Sequence, residues 1–346
     1  MNSRERFLAT VERRDVDRPA SWLGMPVKEA QKNLYKYFNL DNMEALKRKI
    51  GDDVWAIEVP YNHPPANHIA CAFDFAITDE NEDYEERTLT SRGFFAGLEN
   101  PDAINNFNWP DPQKHMSAVQ CRAGMEFVPD DYAALGIMWS AHFQDACAAF
   151  GMENSMIAML TTPEIYQAVI DRIVEFYLEA NAIFYDAVKD RLDAVLIGND
   201  FGSQQALMVS PDLLRKFVLP GTKKLVEQAK SYGFKVIHHS CGAIREIIPD
   251  LIEIGCDVIH PIQALATGMD AEGLRNNFGD KVSFCGGVDV QNLLVNGSSE
   301  DVNKKIKELR GLFPTGLVLS PSHEALLPDV PPKNIEAMFN ECQKVR

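Results

Sequence analysis

The chain has 346 residues, with 34 Lys and Arg against 50 Asp and Glu, a formal net charge of −16. Hydrophobic residues make up 46% and charged residues 24%, the composition of a soluble globular protein of one large barrel or two modest domains. Such an acidic surface repels phosphate backbones and anionic leaflets, so neither nucleic acid nor a membrane is expected as partner.

No stretch approaches the ~18 consecutive apolar residues of a bilayer span. The mixed-charge start, Met1-Asn2-Ser3-Arg4-Glu5-Arg6-Phe7, does not read as a secretory signal. The seven cysteines, Cys71, Cys121, Cys147, Cys241, Cys256, Cys285 and Cys342, are odd in number and scattered. That argues for a reducing, cytoplasmic setting over a disulfide framework.

In chain order, the pattern predicts short helices over 5–11 and 43–50 and a buried strand over 53–59. That strand leads into the loop Pro60-Tyr61-Asn62-His63-Pro64-Pro65, and 128–130 and 136–139 read as weak strands. The second half is clearer. A long amphipathic helix over 163–189 starts at Thr162-Pro163, a cap followed by a proline in the first turn. Strands over 193–198, 235–239, 257–260, 282–285 and 316–320 then alternate with helices over 211–231, 244–254, 271–278, 300–312 and 333–342. Strict alternation at these spacings implies parallel strands joined by right-handed crossovers. It predicts an α/β fold, a single (β/α)8 TIM barrel. An open doubly wound sheet is the alternative, although no Gly-rich dinucleotide fingerprint follows any strand.

Polar and metal-capable residues stand at the C-terminal end of each of these strands. They are Gly198-Asn199-Asp200-Phe201-Gly202-Ser203-Gln204, His238-His239-Ser240-Cys241-Gly242, His260-Pro261-Ile262-Gln263, Cys285-Gly286-Gly287-Val288-Asp289 and Ser320-Pro321-Ser322-His323-Glu324. In a barrel these ends share one face, where active sites are built. Four of the eight histidines fall there. In His239-Ser240-Cys241 the outer two side chains project from one side of an extended strand end, so imidazole and thiolate can reach one zinc ion. A third ligand must come from another strand: His323 first, then Cys285, then His260 or Glu324.

Asp200 is placed to act as general base, substrate clamp or orienting partner. Asp289 either positions substrate or caps the segment after it. Asn199, Gln204, His260 and Gln263 are candidate substrate contacts, and Gly286 and Gly287 allow close backbone approach or a left-handed conformation. His115, His142, Cys121 and Cys147 read as structural, as do the aromatics Phe176, Tyr177, Phe184 and Tyr185. His63 and His68 could edge the pocket.

These strand-end sequences resemble the uroporphyrinogen decarboxylase (URO-D) superfamily, which includes cobalamin-dependent methyltransferases acting with coenzyme M. The resemblance rests on Gly198-Asn199-Asp200-Phe201-Gly202, His239-Ser240-Cys241-Gly242, Gly255-Cys256-Asp257-Val258-Ile259-His260-Pro261, Gly286-Gly287-Val288-Asp289, and Ser320-Pro321-Ser322-His323 followed by Pro331-Pro332-Lys333-Asn334. It implies one URO-D barrel domain over 1–346 with a helical extension over about 1–50, and a homodimer. The decarboxylases hold substrate carboxylates with an arginine-rich N-terminal stretch. Here that region reads Arg18-Pro19-Ala20-Ser21-Trp22-Leu23-Gly24-Met25-Pro26-Val27, with no arginine after Arg18, so the bidentate clamps are missing. The methyltransferases carry His-x-Cys and a distant Cys on zinc. The first two match His239 and Cys241, and His323 stands at the distant position, as it does in decarboxylases. The resemblance therefore implies a zinc-dependent methyltransferase moving a methyl group between a small substrate or thiol and a corrinoid on a partner protein. The alternatives are a decarboxylase, of uroporphyrinogen or a smaller substrate, using Asp200 and His323 without metal, or a non-catalytic barrel that binds a tetrapyrrole or corrinoid.

Overall fold

The computed structural model describes residues 1–63, 67–75 and 91–345; Pro64 and Pro65 of the predicted loop lie outside them. Seven strands, β1 (Val54–Glu58), β2 (Ala133–Trp139), β3 (Ala194–Gly198), β4 (Lys235–His239), β5 (Val258–Ile262), β6 (Ser283–Val288) and β7 (Leu317–Pro321), pair in sequence order, and every pair is parallel. The strands are nearly continuous apolar runs because both faces are buried. Leu135, Leu196, Ile237 and Val258 pack into the interior cluster, while Val195, Val236, Ile259 and Phe284 face the surrounding helices.

Residues 20–23 fill the eighth position. Ser21 bridges Leu319 in parallel, and Trp22 N–H donates to Leu319 O at 2.9 Å while Leu319 N–H donates to Ala20 O at 2.8 Å. On the other side Asp53 N–H donates to Ser21 O at 2.9 Å. This short extended piece joins β7 to β1 and closes the ring, so the architecture is the (β/α)8 TIM barrel. Helix α1 (Ser3–Val11) plugs the N-terminal end, with Phe7 and Val11 in the interior cluster. The guanidiniums of Arg6 and Arg18 meet there on Asp53, with N···O distances of 2.7 Å.

Several elements differ from the sequence reading. Residues 128–130 form a turn, and β2 starts only at Ala133. Helices Lys28–Phe38, Ala118–Met125, His142–Phe150 and Met152–Thr161 add to those predicted. The helix expected over 211–231 is three pieces: Pro211–Leu213, a wider turn Leu214–Val218, and Leu219–Ser231. Pro220 is the physical reason, since it has no N–H for the preceding turn and its ring crowds the carbonyl four residues back. Among the described residues no helix is long and apolar enough to cross a membrane.

Candidate active site

Position along each strand decides which side chains reach the C-terminal mouth. On β4, His238 points outward, stacks on Phe201 at 5.4 Å between ring centroids, and is fully buried. Burial, with the charge of His239, pushes its pKa down to about 3. The next residue, His239, points inward. Its Nε2 lies 3.5 Å from Cys241 Sγ and 3.3 Å from Asp200 Oδ1. Asp200 Oδ1 also accepts the Cys241 N–H at 2.8 Å, and Gln263 Oε1 accepts the Gly242 N–H at 2.5 Å. The loop carrying Cys241 is thus pinned from two neighbouring strand ends.

The other ring nitrogen of His239 faces deeper groups. His239 Nδ1 lies 2.9 Å from Nδ1 of His260 and 3.5 Å from Oε2 of Glu324. His323 presents its Nδ1 to the same carboxylate oxygen at 3.5 Å and to the Ala325 N–H at 3.0 Å. Burial pushes the Cys241 thiol up, but hydrogen bonds from His239 and His323 outweigh it and hold it below its ordinary value. Burial also pushes Asp200 up, yet the hydrogen bond and charge of His239 hold it at about 2. His239 is raised well above its ordinary value, because Glu324 and Asp200 outweigh desolvation. His260 is pushed far down, by burial first and then by the charge of His239.

Two sets of donor atoms here lie within 4.8 Å of one another: Asp200, His239 and Cys241, and below it His239, His260 and Glu324. At the same mouth lies a cavity of about 310 Å³ whose wall includes Gln263, Gln291, Ser322, His323, Leu327 and Asp329.

The match to the uroporphyrinogen decarboxylase (URO-D) family model spans residues 101–345. The chain belongs to the uroporphyrinogen decarboxylase family. The methylated-thiol–coenzyme M methyltransferase of Methanosarcina mazei (strain Go1) is 25% identical over 251 residues, covering 71% of this chain and 63% of that protein. The chain thus spans less than two thirds of the curated relative it matches. Among solved structures, a methyltransferase from Methanosarcina mazei shares the fold, with a TM-score of 0.70 over 99% of this chain and 98% of that one at 18% identity.

Some residues nominated from sequence are occupied with the framework of this URO-D barrel. Asp289 accepts the N–H groups of Gln291, Asn292 and Leu293 at 2.8–3.0 Å. Its carboxylate caps the segment that follows it. Cys285 lies in the interior apolar cluster, where burial, against a hydrogen bond with Ser320, drives its thiol far up, and it is in neither donor set among the described residues. Asn199 accepts the Phe143 N–H at 2.6 Å and sits 3.2 Å from His142 Nδ1, so both ends of its amide serve the framework. Gln204 is exposed at the rim. Gly286 and Gly287 do have positive φ, at 116° and 94°, but a Cβ would meet Ile262 N at 2.7 Å or the Leu309 side chain at 3.2 Å. Neither glycine makes room for a ligand.

Sequence reasoning passed over Trp139, whose ring stands edge-on to His239 at 5.9 Å between centroids. Trp139 and Ser140 have φ of 53° and 55°, a left-handed pair of non-glycine residues at the end of β2 of the kind that surrounding structure must hold in place. No sequence pattern announces such a turn. His142, read as structural, is buried and lies 3.1 Å from Ser140 O and 3.0 Å from Val218 O.

Proposed function

We propose that this chain is a zinc-dependent methyltransferase that moves a methyl group between a small substrate or thiol and a corrinoid carried by a partner protein, working as one barrel over 1–346 whose first 50 or so residues add helices and supply the closing segment 20–23. The observation that carries the reading is the 3.5 Å approach of His239 Nε2 to Cys241 Sγ. A tetrahedral zinc with Zn–S near 2.3 Å and Zn–N near 2.0 Å has an S···N edge of about 3.5 Å. Three groups able to carry negative charge, Asp200, Cys241 and Glu324, meet here around the imidazoles of His239 and His323. That is the charge pattern of a divalent-cation site. When bound, zinc supplies a cation that deprotonates a thiol near neutral pH and holds it as a nucleophile.

The chain's own residues do the positioning. Asp200 and Gln263 fix the loop that carries Cys241, and Glu324 and His260 take up the far nitrogen of His239. The cavity beside His323 is large enough for a small substrate and no more. In the transfer, the new S–C bond forms from the sulfur lone pair as the bond between methyl and donor breaks, and that electron pair leaves with the donor. The name of the Methanosarcina mazei relative supports a thiol as one of the two substrates.

Arg18 weighs against the decarboxylase alternative. Its guanidinium is buried at the opposite end of the barrel, bound to Asp53 and to the carbonyl oxygens of Gly51 and Pro19, and cannot clamp a substrate carboxylate. Metal analysis of protein purified without chelators tests the proposal. Stoichiometric zinc, lost in His239→Ala and Cys241→Ala, is expected; the absence of zinc, or its retention in both variants, overturns it.

A further inference from the structure

Resting on that zinc reading, we propose that the third protein ligand is the carboxylate of Asp200, and that His323 stays outside the ligand set, held by the Ala325 N–H. The donor atoms of Asp200, His239 and Cys241 all lie within 4.8 Å of one another, and His323 belongs to no such set among the described residues. The distances have the right size. Asp200 Oδ1 is 3.3 Å from His239 Nε2, and the O···N edge of a tetrahedral zinc with bonds of 2.0–2.1 Å is about 3.3 Å. With the 3.5 Å sulfur-to-nitrogen contact, two edges of one tetrahedron are already in place.

His323 is set up for another task. Its Nδ1 accepts the Ala325 N–H at 3.0 Å, so the proton of the neutral ring sits on Nε2. A nitrogen that carries a proton has no lone pair for a metal. To ligate through Nε2, the ring would have to shift its proton to Nδ1, which would then confront the Ala325 N–H with a second donor. Glu324 Oε2, at 3.5 Å from the same nitrogen, is too far to replace that bond. The His323 ring centroid is also 6.3 Å from that of His239.

The lower set of His239, His260 and Glu324 is not a competing site. It uses the far nitrogen of His239, which already shares a hydrogen bond with His260 at 2.9 Å, the arrangement that orients a ligating imidazole.

The charge balance favours Asp200 as well. One neutral imidazole, one thiolate and one carboxylate cancel the charge of the ion, whereas two imidazoles and a thiolate leave a net positive charge. With that set the ion would withdraw less electron density from a substrate thiolate. That thiolate is then the better nucleophile toward a methyl group. Asp200 can serve the Cys241 N–H and a metal together, because a carboxylate offers about four lone-pair sites.

The test is zinc affinity by chelator competition in the full chain and in Asp200→Ala, Asp200→Asn and His323→Ala. Asp200→Asn keeps an acceptor for the Cys241 N–H, so it separates loss of a ligand from loss of the loop, and circular dichroism checks the fold of each variant. Asp200→Ala and Asp200→Asn are expected to weaken zinc binding at least ~30-fold, and His323→Ala less than ~3-fold. In Co(II)-loaded protein the visible absorption bands are expected to shift in Asp200→Asn and to hold in His323→Ala. The reverse ranking overturns the Asp200 assignment while leaving the methyltransferase reading in place. An unsubstituted chain that binds no zinc overturns both.

Discussion

The carboxylate of Glu324 lies 3.5 Å from Nδ1 of His239, across the ring from the nitrogen that faces Cys241. His260 makes the hydrogen bond to that nitrogen, and the charge of the nearby acid raises the basicity of the ring. Glu324 is a positioning residue, and its removal acts through His239. Glu324→Gln is expected to weaken zinc binding about 10- to 100-fold with the fold intact. Chelator competition and far-ultraviolet dichroism on the same samples check this, and unchanged affinity contradicts it.

At the other end of the barrel, Asp53 is fully buried between Arg6 and Arg18 and also accepts the Ser21 N–H at 2.9 Å. It ties the segment that closes the ring. Asp53→Ala leaves the buried Arg18 guanidinium without its carboxylate and Arg6 with Asp17 alone, a loss of about 3–5 kcal/mol. Urea unfolding measures it, and a change below about 1 kcal/mol would show that the closure does not depend on this carboxylate.

Asp145 gives the fold a pH dependence. Burial pushes its carboxyl up to about 7, and the hydrogen bond from Tyr177, at 2.6 Å, pulls in the opposite direction. The folded value lies above the ordinary 3.8, so the folded state binds the extra proton. The stability this contributes is complete below about pH 4 and is lost as the pH rises through 7. Asp145→Asn is therefore expected to melt higher relative to the native chain at pH 8 than at pH 4. The difference is up to a few kcal/mol, and an equal difference at both pH values would contradict the assignment.

Gly286 is held at a φ of 116° with the backbone of Ile262 2.7 Å from where a Cβ would sit. Gly286→Ala meets both the left-handed strain and a backbone clash, which together cost about 2 kcal/mol or more. A lowered melting temperature is the expected reading, and one within a degree of the native chain would mean that β5 and β6 separate without cost.

The strands from β3 onward were legible because long apolar runs bounded by polar ends have few other solutions; 235–239 and 271–278 agree with their elements to the residue. The eighth strand was not. Only residues 20–23 serve it, behind Pro19, and their pairing partners are more than 30 and nearly 300 residues away. At the site, His239 and Cys241 were readable from a two-residue spacing on a strand end. Asp200 was readable as an acid but not as a neighbour of both, since that depends on how β3 and β4 align. Asp289 was readable only as one of two things, a substrate contact or a cap, because both use the same side chain; the three N–H groups around it show the cap. The left-handed Trp139 and Ser140 leave no trace in residue type.

The proposed methyl transfer at His239 and Cys241 is tested most directly by a single-turnover reaction of the zinc-loaded chain with methylcobalamin and a small thiol, followed by the absorbance of the corrinoid. Demethylation of the corrinoid with matching formation of the thioether, abolished in Cys241→Ala, is the predicted result. Stoichiometric zinc with no demethylation above the rate of the Cys241→Ala chain, across a panel of small thiols, would contradict it.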